Sequence, residues 1–262
     1  MDLRSGCIGR QRVTTLPGRG QLDLSPAGSL QLGRVPWCTR VGCTARAGRV
    51  VIAERPEGAG NGGADSKPTE WMAANTPEAW GERARSGGAD HVIADWGSVA
   101  SHELRLHALL RLPWRPGDVL LDLACGTGRL ADFAPEGLTY EGLDWSLDVI
   151  EVARRRRPGI RFRQGTETDL TGADWVVTNG LFNMEDGWTK ARTKDTVVKM
   201  WRASRRGIAV TARRERAEGR LHYSPEELQG FLTDLDWSEL ELDRSYLPND
   251  ICLRAWRSPD PQ

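Results

Sequence analysis

The sequence lacks the features that define several classes of protein. No run of about 18 apolar residues occurs, so a transmembrane helix is not expected. The N-terminus has no apolar segment of the kind that a secretory signal needs. The five cysteines form no C-x-x-C pair, and their wide spacing suits neither a zinc site nor a disulfide framework. We therefore expect a cytoplasmic protein without a metal site and without a membrane partner.

Charge of one sign is also missing. The 36 basic and 36 acidic residues leave no formal net charge, whereas proteins that coat nucleic acid carry a basic excess. The basic run at residues 154–157 is explained by the end of a helix, and no aromatic residues alternate with it. We therefore do not expect nucleic acid as a partner. With 39% hydrophobic residues, the chain can build a core.

The first 70 residues differ in composition from the rest of the chain. They contain 12 glycines, 5 prolines and one aromatic residue, Trp37. Such a segment buries too little apolar surface to offset the entropy lost on ordering. We interpret residues 1–70 as a disordered or non-native extension that folding does not require, with Met72 as a possible true start. Residues 71–262 then form the domain.

Helical and strand patterns alternate after residue 70. Residues 71–115 predict an N-terminal helical region, which begins with Thr76 as a cap followed by a proline. Short apolar runs then predict seven strands, at residues 119–123, 139–143, 160–163, 175–178, 208–211, 240–242 and 251–256. We expect an α/β fold, with a Rossmann-like doubly wound seven-stranded sheet that is mostly parallel and has an antiparallel C-terminal edge.

The segment from residue 119 to residue 144 carries the chemistry. In a doubly wound sheet, ligands bind beyond the carboxyl ends of the strands. Gly126 and Gly128 follow the first strand, where the absence of a side chain lets the backbone approach a ligand. Asp122 precedes this turn and could accept a hydrogen bond from a ligand ammonium. Asp144 ends the second strand, where its carboxylate could bind two ribose hydroxyls.

These residues resemble a known family. Asp122-Leu-Ala-Cys-Gly-Thr-Gly128, followed by Gly142-Leu-Asp-Trp-Ser146, is similar to class I S-adenosylmethionine-dependent methyltransferases over roughly residues 80–256. The resemblance implies S-adenosyl-L-methionine as the cofactor, with Gly126 and Gly128 against its methionine end and Asp144 on its ribose. It also implies that Trp145 lies against the adenine. Residues 179–183 and 246–250 look like a bacterial branch that acts on small molecules.

The sequence departs from the family pattern at two places. Ala124 stands where the family usually has the first glycine of the turn, and alanine is the next smallest residue. After the third strand, members usually carry an acid that meets the adenine amino group. This chain has Gly165-Thr166-Glu167, so Thr166 and Glu167 are both candidates for that contact. We also place Asn179, at the end of the fourth strand, beside the cofactor.

The acceptor side is predicted from the loops. Asn183 follows Asn179 and Gly180, where the transferable methyl group should project, and could position the acceptor. Phe182 could form an apolar wall, or it could belong to the core while Asn183 caps the next turn. His222 precedes a capped helix after the fifth strand and could act as a base if the acceptor must lose a proton. We therefore name Asn183 and His222 as candidate catalytic residues.

Two other functions remain open at this point. Gly126-Thr-Gly-Arg-Leu-Ala131 also satisfies the G-x-G-x-x-A fingerprint of NAD(P)-dependent oxidoreductases, with Asp144 downstream. The second of these functions is that of a non-catalytic module that binds S-adenosylmethionine. The preferred prediction is a methyltransferase, monomeric or homodimeric, that methylates a small molecule in specialised metabolism.

Overall fold

The computed structural model describes residues 49–54 and 74–258. The eight strands are β1 (Arg49–Ala53), β2 (Val119–Leu123), β3 (Thr139–Asp144), β4 (Arg161–Gln164), β5 (Ala173–Asn179), β6 (Ser204–Arg213), β7 (Glu239–Asp243) and β8 (Asp250–Trp256). The helices are α1 (Pro77–Ser86), α2 (Asp90–Ile93), α3 (Val99–Leu109), α4 (Leu147–Arg156), α5 (Lys190–Ala203) and α6 (Pro225–Gly230), with a 3-10 helix at Arg129–Phe133.

All eight strands form one sheet, in the order β1-β7-β8-β6-β5-β2-β3-β4. β8 runs antiparallel to both of its neighbours, β6 and β7, and every other pairing is parallel. The chain reverses its direction of travel across the sheet at β2, which has β5 on one side and β3 on the other. The predicted α/β fold is confirmed, and the switch point, beside which ligands bind in such sheets, lies between β2 and β5.

The sheet has one strand more than the sequence predicts. The seven expected strands are all present after residue 118, and the eighth, β1, lies inside the segment that we interpreted as an extension. β1 pairs in parallel with β7, and Val50 packs against the core. Its short Val-Val-Ile run was obscured by the glycine and proline around it. The rest of the expected extension, residues 1–48 and 55–70, lies outside the described residues.

Local sequence signals explain where most helices begin. Thr76 caps α1 by accepting a hydrogen bond from the backbone N–H of Ala79 at 3.2 Å. Ser224 and Glu227 form the predicted capping box of α6. The sequence after the glycine turn, residues 129–133, also predicts a helix, but the structure has only a short 3-10 helix there. Ala134 precedes Pro135 and is extended, so the helix cannot continue.

The sheet separates two layers of core. Leu120 of β2 packs on one face with Leu106 and Leu109 of α3, while its neighbour Leu121 packs on the other face with Val197 of α5. This alternation follows from the two-residue period of a strand. Both faces are therefore covered, and the carboxyl ends of the strands are left to form a site. Among the described residues, no helix combines the length and the apolar character needed to cross a membrane.

Candidate functional site

A cleft lies at the carboxyl ends of β2, β3 and β5. It holds about 980 Å³ of space, including the part open to solvent, and α1–α3 and the loops after β5 and β6 contribute to its walls. Most of the site residues predicted from the sequence line it, namely Asp122, Ala124, Gly126, Asp144, Trp145, Asn179 and Asn183. Thr166 and Glu167 line a smaller adjoining pocket. Gly128 and His222 line neither space.

Asp144 ends β3 with its carboxylate held by two backbone N–H groups. Gly126 donates to Oδ2 and Ser146 donates to Oδ1, each at 3.0 Å. The side chain is 6% exposed, and burial raises its pKa to about 6, although these hydrogen bonds act in the opposite direction. The hydrogen bond from the backbone of Ser146 forms a local turn before α4, and the Ser146 side chain makes no capping bond to that helix.

Asp122 is the more deeply buried acid of the cleft. Its Oδ2 accepts a hydrogen bond from the Tyr140 hydroxyl at 2.6 Å, while Oδ1 is buried and has no partner in the described part of the chain. Burial raises its pKa to about 7, and the nearby Asp144 adds to the rise. An unsatisfied carboxylate oxygen of this kind favours a cationic or hydrogen-donating ligand.

The turn between β2 and the 3-10 helix is left-handed at three positions. Ala124 has φ +57°, Gly126 +55° and Gly128 +79°. A Cβ on Gly126 would have no protein atom within 4 Å, so this glycine leaves open space in the cleft. A Cβ on Gly128 would lie 2.5 Å from the Phe162 ring. The expected ligand contact is thus placed at Gly126, whereas Gly128 is a packing glycine and the structure does not bring it to the cleft.

Arg157 fixes the turn from behind. Its guanidinium donates to the carbonyl oxygen of Thr127 at 2.7 Å and to both oxygens of Asp132. It also reaches Asp90 of α2 at 2.9 Å, and Asp90 accepts the Thr127 hydroxyl. These bonds, with one from Arg156, outweigh burial and lower the pKa of Asp90 to about 2. One arginine thereby ties the turn to a helix of the N-terminal region.

The adjoining pocket contains the two candidates for the adenine contact. It holds about 340 Å³ and shares Ala124 and Trp145 with the main cleft. Glu167 forms an ion pair with Arg192 at 2.9 Å. The Thr166 hydroxyl is hydrogen-bonded within its own loop, to the Thr168 hydroxyl and to the Asp169 carboxylate. Trp145 therefore lines both the main cleft and the pocket.

Asn179 ends β5 and is held by β6. Thr211 donates its hydroxyl to Oδ1 of Asn179 at 2.7 Å and accepts the backbone N–H of Gly180 at 3.0 Å. Gly180 has φ +71°, and a Cβ there would lie 2.5 Å from Trp96. Trp96 comes from the loop before α3, so its ring can close against this turn only because residue 180 is glycine.

Asn183 lies in the same turn with one end of its amide occupied. Oδ1 accepts the backbone N–H of Arg213 at 3.0 Å, which fixes the orientation of the amide. The side chain is 5% exposed and faces the cleft. Phe182, in contrast, is fully buried and packs edge-to-face on Trp188 at 4.9 Å. The interpretation of Phe182 as a wall of the site is wrong, because its side chain points into the core.

The structure places His222 outside the cleft. It lies in the loop before α6, on the side where its charge acts on Glu227. Its neighbour Tyr223 points inward, hydrogen-bonded to Thr193 at 2.8 Å and to the Phe182 carbonyl at 3.2 Å. His222 lines neither the cleft nor the adjoining pocket, so the prediction that it contacts the acceptor is not supported by this arrangement.

The sequence gives little warning of an ion-paired group in the cleft wall. Asp95 follows α2 with φ +58° and is paired with Arg83 of α1 and Arg220 of the loop after β6, both at 2.9 Å. Asp95 and Arg220 both line the cleft. Their contact joins segments 125 residues apart, so no local pattern in the sequence signals it.

Sequence relatives match short stretches of the chain. A demethylmenaquinone methyltransferase from Renibacterium salmoninarum is 39% identical over 77 residues, which cover 27% of this chain and 32% of that protein. A dTDP-3-amino-3,6-dideoxy-alpha-D-glucopyranose N,N-dimethyltransferase from Streptomyces fradiae is 40% identical over 67 residues, 25% of this chain and 26% of that protein. The chain thus spans about a third or less of the length of these relatives. No family model matches the chain.

A solved structure extends the comparison to the whole domain. Magnesium protoporphyrin IX methyltransferase from Synechocystis PCC 6803, solved with bound SAH, superimposes with a TM-score of 0.52 at 15% identity. The match covers 68% of this chain and 94% of that one. The resemblance drawn from the turn and strand motifs is therefore confirmed: the chain has the fold of the class I S-adenosylmethionine-dependent methyltransferases and shares local sequence similarity with them.

Proposed function

We propose that this chain transfers a methyl group from S-adenosyl-L-methionine to a small-molecule acceptor. The observation that carries the proposal is the arrangement of Asp122, Gly126 and Asp144 around one cleft. Two buried acids flank a turn that leaves open space where a side chain would otherwise stand. A cofactor with an ammonium group and a ribose matches both acids.

The residues present fit this cofactor. Asp122 would hold the ammonium with the oxygen that has no protein partner, and Asp144 would exchange backbone contacts for ribose hydroxyls. Trp145 would lie against the adenine, with Thr166 or Glu167 at the edge of the ring. Ala124 and Asn179 would border the cofactor on the sides of β2 and β5.

Bound S-adenosylmethionine supplies an electrophilic methyl group on a sulfonium. The chain's own task is to align an acceptor with that group, and proximity and orientation account for much of the acceleration in such reactions. Asn183, at the end of the cleft near Gly180, would position the acceptor. The helices α1–α3 would act as a lid that keeps water from the reacting atoms, because a drier site favours dispersal of the sulfonium charge.

The acceptor and the setting are also part of the proposal. The names of the two relatives refer to a demethylmenaquinone and a sugar derivative, which supports a small acceptor. We further propose a role in specialised metabolism. The neutral formal charge supports the exclusion of nucleic acid. Both cysteines in the described residues, Cys125 and Cys252, are free thiols, which supports the cytoplasm as the compartment. We propose a monomer or homodimer.

Calorimetry with S-adenosylmethionine tests the proposal. Asp144→Ala should weaken binding by about 10- to 150-fold, as expected for the loss of hydrogen bonds worth about 1.5–3 kcal/mol. Asp234→Ala, the same change at an exposed aspartate, is the matched control and should bind like the wild type. Tight binding of NAD or NADP instead would establish the oxidoreductase. Binding of S-adenosylmethionine without transfer to any acceptor in labelled metabolite extracts would establish the non-catalytic module.

A further inference from the structure

The acceptor side of the cleft presents two polar side chains whose hydrogen-bonding capacity is defined by the structure. In Asn183, Oδ1 is already occupied by the backbone N–H of Arg213. Its Nδ2 lies beside Gly180, 3.1 Å from where a Cβ on that glycine would stand, and has no acceptor among residues 49–54 and 74–258. The free donor that Asn183 offers to a ligand is therefore its Nδ2 group.

His102 is the second of these side chains. It lies on α3, is 6% exposed and lines the cleft. Its ring stacks on Trp96 with 6.0 Å between centroids, and its nitrogens have no hydrogen-bond partner in the described parts of the chain. A neutral imidazole carries one nitrogen that donates and one that accepts. His102 can therefore accept a proton or a hydrogen bond from a ligand.

The surroundings of His102 favour the neutral ring. Burial lowers its pKa to about 3, helped by the positive charges of Arg105, His91 and Arg129 and opposed by Asp90. The guanidinium of Arg105 lies 4.1 Å from the centroid of the Trp96 ring and forms an ion pair with Asp250. At neutral pH, therefore, the accepting nitrogen of His102 is not protonated.

Trp96 brings the two groups to the same end of the cleft. Its ring lies against Gly180, beside the Asn183 amide, and it stacks on His102. Asp122, Gly126 and Asp144 occupy the other part of the lining, which the proposed function gives to the cofactor. A hydrogen-bond donor, Asn183, and a hydrogen-bond acceptor, His102, thus lie near the turn of residues 179–183, where the molecule to be methylated must enter.

We propose that His102 and Asn183 form the acceptor subsite and that the group they bind is a hydroxyl, which makes this an O-methyltransferase. The inference rests on the proposed function. An oxygen has two lone pairs, so it can accept the N–H of Asn183 with one and attack with the other while its proton points to His102. A neutral amine has a single lone pair, which the Asn183 donor would occupy.

The balance of the step follows from these contacts. The oxygen–methyl bond forms as the sulfur–methyl bond breaks, and the electron pair of the broken bond goes to sulfur. The hydroxyl proton passes to the accepting nitrogen of His102 and then to water. A weak base suffices, because the proton becomes strongly acidic once the oxygen carries the methyl group.

The test uses the full chain labelled with ¹⁵N-histidine, which contains four histidines. With S-adenosylhomocysteine bound, we would add phenol, 1-naphthol or 2-naphthol and follow the ring nitrogen signals by NMR. At least one aryl alcohol should shift the signal that is missing in His102→Gln, whereas 2-methoxynaphthalene, which has no proton to donate, should not. The exposed His107 of the same helix gives the matched control, His107→Gln, in which the shift should persist.

Each outcome has a separate meaning. A shift abolished in Asn183→Ala, while calorimetric affinity for S-adenosylhomocysteine stays within about threefold, supports the subsite. If all three alcohols leave the His102 signal unmoved, or the methoxy compound moves it equally, the subsite is overturned although the proposed function stands. If S-adenosylhomocysteine itself does not bind, the proposed function fails first. Methyl transfer from labelled cofactor to amines but not to hydroxyls would also overturn the inference.

Discussion

Tyr140 donates its hydroxyl to Oδ2 of Asp122 at 2.6 Å, the one hydrogen bond that this carboxylate receives from the described residues. The two side chains come from neighbouring strands, β3 and β2. Because burial raises the pKa of Asp122 to about 7, this hydrogen bond helps to decide whether the acid is ionised near neutral pH. Binding of a cation in the cleft is thereby linked to protonation.

The first prediction concerns this linkage. The ammonium of the cofactor favours the ionised form of Asp122, so affinity should rise with pH between about 5.5 and 7, approaching tenfold per pH unit, and then level off. Asp144, with a pKa of about 6, contributes over the lower part of this range. Calorimetry in buffers of different ionisation enthalpy should detect proton release at pH 6. Affinity that does not vary over this range would contradict the ammonium contact.

Tyr140→Phe gives the second prediction. Without its hydrogen bond, the pKa of Asp122 should rise further, by about one to two units, so affinity at pH 7 should fall about 5- to 50-fold and recover as the pH is raised. Tyr246→Phe removes a hydroxyl from another buried tyrosine that has no contact with Asp122, and it should bind normally. Equal effects of the two substitutions would indicate a general loss of packing.

Substitution by alanine should have different effects at the two glycines of the turn. Gly126→Ala should weaken cofactor binding at least tenfold, because its Cβ would enter space that no protein atom occupies. Gly128→Ala should lower the melting temperature more, since both glycines have positive φ but only Gly128 would collide with Phe162. Calorimetry and thermal unfolding of both variants measure the difference. The reverse ranking would make Gly128 the glycine that faces the ligand.

Arg157→Lys should reveal how strongly the turn depends on its clamp. Lysine cannot reproduce the forked contacts with Asp132, Asp90 and the Thr127 carbonyl, so we expect unfolding to become easier by about 2–3 kcal/mol. The exposed Arg155 on the same helix offers the matched change, Arg155→Lys, which should stay within about 0.5 kcal/mol. Denaturant titration provides the measurement.

Acid unfolding gives a second readout of that clamp. The pKa of Asp90 is lowered to about 2, so its contribution to stability is present above its ordinary pKa and is lost as the pH falls toward 2. With Arg157→Lys the pKa of Asp90 should move back toward its ordinary value. The variant should therefore lose less stability than the wild type between pH 4 and pH 2. An equal loss of stability in the variant and the wild type would show that Arg157 does not lower the pKa of Asp90.

The last prediction concerns β1. A shortened chain that begins at residue 74 lacks this strand, whereas one that begins at residue 49 keeps it. Because β1 pairs along β7 and buries part of Val50, its loss should lower the melting temperature by about 4–8 °C, equivalent to about 2 kcal/mol. Cofactor affinity should not change, since β1 lies at the far edge of the sheet from β2 and β3. Equal melting temperatures of the two shortened chains would show that folding does not require β1.

The cofactor side of the site could be predicted from the sequence because it is local. Asp122 and Asp144 end adjacent parallel strands, and the rule that ligands bind at this edge places them together without knowledge of the rest. The sequence could not separate Gly126 from Gly128, since both take a positive φ and only the Phe162 ring, more than 30 residues away, tells them apart.

The acceptor side could not be predicted in the same way. Trp96 and His102 reach the cleft through helices whose placement depends on buried pairs such as Arg105 with Asp250, at 145 residues' separation. The residue type and the loop position of His222 predict a contact with the acceptor, but the fold buries the neighbouring Tyr223 and leaves His222 outside the cleft. The composition of residues 1–70 does not predict β1, because an average over 70 residues hides a run of four apolar residues.

The two buried acids also bear on how this protein could be improved or damaged. In a carboxylate whose pKa is raised by burial, each unit costs about 1.4 kcal/mol of folding stability once the group is ionised. Asp122→Asn would remove that cost above pH 7, and the melting temperature should rise as the ammonium contact disappears. A laboratory selection for heat resistance alone would therefore favour variants that no longer bind the cofactor.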